Sequence, residues 1–212
     1  MAVLQRTQAG TRTRPARSGG EAPVIRRPRP ADGLELAYDT FLAGKRVEMG
    51  TIAAQLDVSQ TTIYRWYGSR EHLIEQALER LARELLAEAS AQARGEGDDR
   101  VLDFSRRLMQ ATFTLEPVRA FVQREPQLAL RLLLGESGVV RRTVTDALAE
   151  ALAEARSPAL ARALHDELDL CVAVASSLQW ATFAIGDRPR FDDVIHMMRV
   201  MLAAGPRKAR TR

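Results

Sequence analysis

The chain has one cysteine, Cys171, in 212 residues. No internal disulfide framework is possible, and a reducing cytoplasm is the compartment expected. Histidine is almost as scarce: His72, His165 and His196 stand far apart. There is no HExxH, no CxxC, no GxSxG elbow and no glycine-rich phosphate loop. An enzyme is therefore not expected, nor a metal or other cofactor. Long apolar runs are missing too. The most apolar one, Leu170 to Gly186, spans 17 residues and contains Ser176, Ser177 and Gln179. It is short for a membrane span and reads as a buried helix. The N-terminal arginines are not followed by an apolar stretch, so no secretory signal is expected. Strand-like alternation and internal repeats are absent as well.

What is present is apolar enough, at 46%, to build a real core. Charge is unevenly spread. Residues 1–30 hold seven Arg and one Glu, residues 31–78 carry −3, residues 79–205 carry −3, and residues 206–212 carry +4. Basic tails on a mildly acidic body suggest a polyanionic partner, although a solvated tail without a partner has the same composition. Residues 1–30 lack periodicity and are expected to be a disordered basic arm.

From Ala31 onward the pattern predicts an all-α chain. Leu34, Tyr38, Phe41 and Leu42 follow helical spacing. Gly44 ends a first helix, and Ser59 and Ser69 stand where N-caps belong. A helix is expected over about 70–93, stopped by Gly95-Glu96-Gly97-Asp98, then others over about 101–115, after Pro117 and after Pro126. Further helices are expected over about 138–156, 158–185 (Ser157 cap, Pro158 at the first position) and 191–204. The expected division is a helix-turn-helix DNA-binding domain over residues 31–78, a ligand-binding and dimerisation domain over 79–205, and a basic tail over 206–212.

The stretch Ile52–Trp66 carries the function. Two short helices meet at Asp57-Val58, with Ala53 small enough to let the second cross the first. The turn residue must tolerate left-handed dihedrals, and Asp is among the better substitutes for Gly there. Ile52, Leu56, Val58 and Ile63 are expected to bury between the helices, with Val58 and Ile63 as a hydrophobic staple. With Ile63 and Tyr67 inward, the other face offers Gln60, Thr61, Tyr64 and Arg65. Gln pairs with adenine and Thr touches a thymine methyl in the major groove, while Tyr64 and helix-start N–H groups suit phosphates. An ordinary helical hairpin with a polar face is the plainer alternative.

The segment AYDTFLAG…MGTIAAQLDVSQTTIYRWYGSREHLIEQAL resembles the N-terminal DNA-binding domain of TetR/AcrR-family transcriptional regulators, over about residues 33–80. Within the family the wording looks closest to the QsdR-like regulators, linked to degradation of lactone quorum signals. The resemblance implies a homodimer on an inverted-repeat operator, with helical ligand-binding and dimerisation elements from residue 80 onward. It makes Ser59 to Tyr67 the recognition helix, with Gln60 and Thr61 at its base-reading start. It matches Tyr64 to a phosphate-gripping tyrosine and Arg70 to a lysine that contacts phosphate. The loop between Phe41 and Ile52 is about two residues short of the usual pattern. Glu48 replaces a common Thr or Ser cap, and Trp66 replaces a common histidine. The set expected at DNA is Thr51, Ser59, Gln60, Thr61, Thr62, Tyr64, Arg65, Trp66 and Arg70, with Arg26, Arg27 and Arg29 of the arm entering a neighbouring minor groove.

Beyond this head, the last two long helices carry wide apolar faces. Leu168, Cys171, Val172, Ala175 and Leu178, with Phe191, Val194, Ile195, Met198, Met201 and Leu202, are expected at a dimer interface; a monomeric core is the alternative. Phe104, Leu108, Phe113, Phe121, Leu130, His165, Gln179, Trp180 and Phe183 are candidates for a mostly apolar effector pocket. The effector would be small, a lactone or an acyl compound fitting the resemblance, and would release a repressor from DNA by shifting populations. A DNA-binding helical scaffold with no small-molecule ligand is the competing reading. If the arm supplies the positive charge, deleting residues 1–28 lowers the slope of log affinity against log salt, each lost phosphate contact removing about 0.9. Binding titrations at several salt concentrations check this, and an unchanged slope means the arm is idle.

Overall fold

The computed structural model describes residues 27–135, 138–185 and 188–206, with the side chains of residues 184 and 185 left out. Eleven helices account for these residues: α1 Pro30–Leu42, α2 Met49–Gln55, α3 Gln60–Tyr67, α4 Arg70–Gln92, α5 Gly97–Thr114, α6 Glu116–Arg124, α7 Pro126–Leu134, α8 Val139–Ala155, α9 Pro158–Ala163, α10 His165–Ile185 and α11 Phe191–Ala204. No strand forms among the described residues, so the all-α reading holds. The chain divides into two compact units, Met1–Ala77 and Leu78–Arg212.

Local chemistry sets the helix ends of the first unit. Pro30 opens α1, and the backbone N–H of Arg29 donates to Asp32 at 2.6 Å. Gly44 leaves that helix at φ +66°. Among the described residues Asp57 is the only non-glycine at positive φ, 53°, which the turn between α2 and α3 requires. Across that turn the Val58 N–H donates to the Ala53 carbonyl at 3.0 Å. Ser59 accepts from the Thr62 N–H at 3.1 Å, and Ser69 accepts from the His72 N–H at 3.1 Å. Each such cap is worth about 1 kcal/mol. Ala37, Tyr38, Ile52, Ile63, Leu73 and Ile74 form the core, all fully or almost fully buried. Leu56 and Val58 are only half-buried.

In the second unit, α5 packs on α8 and α11, α8 on α9 and α10, and α10 on α11. Leu152, Leu164 and Leu168 are among its fully buried side chains. Arg100 donates to the carbonyl of Ala93 at 2.6 Å, just past the end of α4, and to that of Ser90 at 3.2 Å, which also accepts from the Ala93 N–H at 3.3 Å. Asp98 pairs with Arg156, and Asp99 with Arg199 at 3.2 Å.

Two boundaries differ from the sequence expectation. The helix expected from about 101 starts at Gly97, because Asp98 and Asp99 favour a helix N-terminus and are not loop signals there. The single helix expected over 158–185 is two. Leu164, at φ −103° and ψ 7°, breaks the run. The break leaves Leu164 and Leu168 both fully buried, and no glycine or proline marks it.

One clasp joins α8 to α10. Arg141 holds Asp169 with two nitrogens, Nε at 2.7 Å, and the buried Thr145 hydroxyl donates to the same carboxylate at 3.3 Å. The Arg141 hydrogen bond is the main cause that keeps the Asp169 carboxyl below its ordinary pKa. A lowered folded-state pKa stabilises the fold above the unfolded value, and that increment disappears as pH falls through the folded value. Asp169→Asn should therefore lower stability at neutral pH and flatten its decline below the ordinary carboxylate pKa of about 4. Thermal melts across a pH series check this; parallel acid limbs for both proteins would count against the clasp.

Candidate nucleic-acid interface

Helix α3 is held from behind. Ile63 is fully buried and Tyr67 is 4% exposed. The Tyr67 hydroxyl donates to the Pro30 carbonyl at the start of α1. Gly33 leaves room for that phenol: a Cβ at residue 33 would sit 2.7 Å from the hydroxyl oxygen. Burial is the main cause that raises the Tyr67 pKa, so it remains a neutral donor. Trp66 meets the Tyr67 ring edge-on, centroids 6.4 Å apart, and is half-buried.

The opposite face is free of this packing. Ser59, Gln60, Thr61, Tyr64 and Arg65 are exposed, Tyr64 at 45%, and Thr62 is half-buried beside the Ser59 hydroxyl at 2.9 Å. Thr51 on α2 is exposed, as are Arg27 and Arg29. Arg26 lies outside the described residues. Arg70 is placed differently from a free phosphate ligand. Its Nε donates to the Val47 carbonyl at 2.5 Å and lies 3.9 Å from Glu48, and only 16% of the side chain is exposed. Glu48 makes no side-chain cap to α2 and pairs with Arg46 at 2.8 Å.

The larger unit contains a partly open cavity of about 110 Å³. Leu78, Leu81 and Leu85 of α4, Leu108, Met109 and Thr112 of α5, and Val140 and Val144 of α8 contribute to its wall. Helix α10 supplies Cys171, Val172, Ala175, Ser176, Gln179, Trp180 and Phe183, and α11 supplies Val194 and Met198. The Gln179 amide crosses to α5, where Nε2 donates to the Met109 carbonyl at 2.8 Å. Among the described residues no cluster of His, Cys, Asp or Glu could hold a metal, and no helix is long and apolar enough to cross a membrane.

Residues 96–203 match the family described as Tetracyclin repressor-like, C-terminal domain. The chain belongs to the TetR family. A solved structure, the transcriptional repressor QsdR of R. erythropolis, from the TetR family, superposes with a TM-score of 0.73 at 21% identity, over 86% of this chain and 97% of that one. No curated protein matches in sequence. The chain is thus a DNA-binding transcriptional regulator of TetR type, with the all-α fold of that family.

In this TetR-family chain the pocket candidates separate. Leu108, Gln179, Trp180 and Phe183 line the cavity. Phe113 stacks on Phe183 at 4.9 Å without lining it, and Phe104 and Phe121 are buried elsewhere in the core. Leu130 is 46% exposed, because α7 turns Leu128, Ala129 and Leu132 inward instead. His165 is exposed at the start of α10, 3.4 Å from Asp146. Leu81 and Leu85 stand in an apolar stripe of α4, a pattern that marks buried positions without distinguishing a cavity wall from solid core. Ser105, Thr112, Ser176, Val140 and Val144 gave no distinguishing signal.

The interface candidates also move. Leu168, Cys171, Val172, Val194, Ile195, Met198 and Leu202 are buried within the chain's own unit. Phe191 packs edge-on against Phe113 at 5.6 Å, and Ala175 lines the cavity. Leu178 and Met201 are half-exposed. The stronger stripe serves the internal core. The outward stripe is weaker: Leu170 (54% exposed), Ser177 and Ala181 on α10, and Val200 (55%) and Ala204 on α11, with Met197 half-exposed.

Because the Tyr67 phenol fills the notch at Gly33, Gly33→Ala should lower the melting temperature, overpacking of this kind costing about 1–3 kcal/mol. Adding Tyr67→Phe removes the closest atom and should recover part of the loss. A double-mutant cycle by thermal denaturation reads this, and strictly additive effects would show that the two residues do not interlock.

Proposed function

We propose that this TetR-family regulator is a cytoplasmic, homodimeric repressor of an inverted-repeat operator, released by a small, mostly apolar effector such as a lactone or an acyl compound. The observation that carries the reading is the division of α3: Ile63 and Tyr67 are buried while Gln60, Thr61, Tyr64 and Arg65 are exposed. That face has the donors and acceptors the major groove reads, and Tyr64 has the reach for phosphate. Ser59, Thr62, Trp66 and Thr51 flank it, and Arg27 and Arg29, with Arg26, supply the arm's charge. Arg70, tied to Val47 and Glu48, serves mainly to fix the start of α4 against that of α2.

A second copy is proposed to cover the outward stripe of α10 and α11, Leu170, Ser177, Ala181, Val200 and Ala204, whose small residues permit close helix approach. The cavity supports an effector-responsive regulator over a scaffold without ligand. Helix α4 contains both Arg70 and the cavity-lining Leu78, Leu81 and Leu85. An effector that favours one position of that helix changes the separation of two reading heads, which must match about one turn of DNA, 34–36 Å.

Selection of duplexes from a random library by the purified chain tests this; an inverted repeat with half-sites one turn apart is expected. Tyr64→Phe should weaken binding to every selected duplex alike, removal of one phosphate hydrogen bond costing about 1 kcal/mol. A change confined to one base pair would contradict the phosphate role, and a monomer without duplex affinity would overturn the proposal.

A further inference from the structure

The cavity wall narrows the chemistry of the effector. Among the described residues lining it there is no Asp, Glu, Lys, Arg or His. Cys171 is its one ionisable group, and burial pushes that thiol up, so it stays protonated. Arginines adjacent in sequence to wall residues are held by carboxylates: Arg141 by Asp169, Arg106 by Asp192 at 2.7 Å, Arg107 by Asp103 at 2.7 Å. A charged ligand group would be desolvated there without a counter-ion, which is heavily penalised.

The polar groups of the wall are not equivalent. Ser105 donates to the Val101 carbonyl at 2.8 Å and Thr112 to the Leu108 carbonyl at 2.9 Å, so both hydroxyl hydrogens are used inside α5. Gln179 spends one N–H on Met109 at 2.8 Å. A primary amide has two N–H donors and a carbonyl acceptor. One donor and one acceptor thus remain in a single plane, with Ser176 one turn earlier on the same wall. That pair is complementary to a ligand group with its own adjacent donor and acceptor.

We propose that the cavity takes an uncharged ligand with an apolar body and an amide-like head, and that Gln179 holds that head while bridging α5 and α10. This rests on the effector-responsive reading above and names the class of effector. The bridge also gives the ligand a way to act: a head that engages Gln179 competes with, or reinforces, the link to Met109.

Octanamide, octanoate and octylammonium share one chain length and differ in head charge. Calorimetric titration of each into the DNA-free full chain at neutral pH should show octanamide binding, with both ions weaker by about tenfold or more, equivalent to about 1.4 kcal/mol. Gln179→Leu should erase that preference. The isosteric Gln179→Glu should turn it towards octylammonium, which keeps the test informative if the leucine variant folds poorly. Binding of either ion as tight as octanamide, no binding by any of the three, or an unchanged order in both variants would overturn the assignment. Operator affinity is measured in parallel. If octanoate binds as tightly as octanamide and releases DNA, the head assignment fails and the effector-responsive reading survives. If octanamide binds without altering operator affinity, the head assignment stands and the effector-responsive reading fails.

Discussion

An eight-residue helix such as α3 has no stability of its own, since isolated helices shorter than about 12–15 residues are marginal in water. Its orientation therefore comes from what it is pinned to. Two pins do this. Asp57, at φ 53°, turns the chain so that Ile63 enters the core. Tyr67 ties the far end to Pro30 and fits the notch at Gly33. Both pins act on the inward side, so the outward residues can be exchanged without loosening the scaffold. The strained turn is a modest cost: Asp tolerates left-handed dihedrals better than most side chains.

The larger unit keeps charge and apolar space apart. Its ion pairs sit at helix ends and on outer faces, as with Asp98 and Arg156, Asp99 and Arg199, and Arg141 and Asp169. Its interior keeps only neutral polar groups, and every buried side-chain nitrogen or oxygen among the described residues has a partner or some contact with open space. Exposed pairs such as Asp98–Arg156 and Asp99–Arg199 contribute about 0–1 kcal/mol each. Their value lies in registering helices that surround empty volume, where packing cannot do all of the positioning.

Much of this was legible in the residues. Ser59, Ser69 and Ser157 mark helix starts by chemistry that acts within one turn, and Asp57 marks the turn because few residues accept its geometry. Apolar stripes were legible as stripes, but not as facing a particular neighbour. On α10 and α11 the stronger stripe points into the chain's own unit, so Cys171, Val172, Val194 and Met198 line a cavity where a subunit contact was expected. The outward stripe of Leu170, Ser177 and Ala181 is too mixed to stand out. Leu164 breaks a continuous helical pattern without glycine or proline, for packing reasons that no local window contains. Leu130 shows the same limit in one turn: on a short helix rich in leucine, the choice of which leucine faces out is tertiary.

The position of Cys171 has a practical consequence. It is the chain's one thiol, and it stands in the cavity wall. Burial keeps its thiolate scarce, so it resists adventitious oxidation and alkylation. A reagent that reaches it through the hollow competes for that space with an occupant. The molecule thus carries a single-site chemical gauge of its own interior: the rate at which a neutral maleimide or disulfide reagent consumes that sulfur reports occupancy directly, without an engineered label and without DNA present.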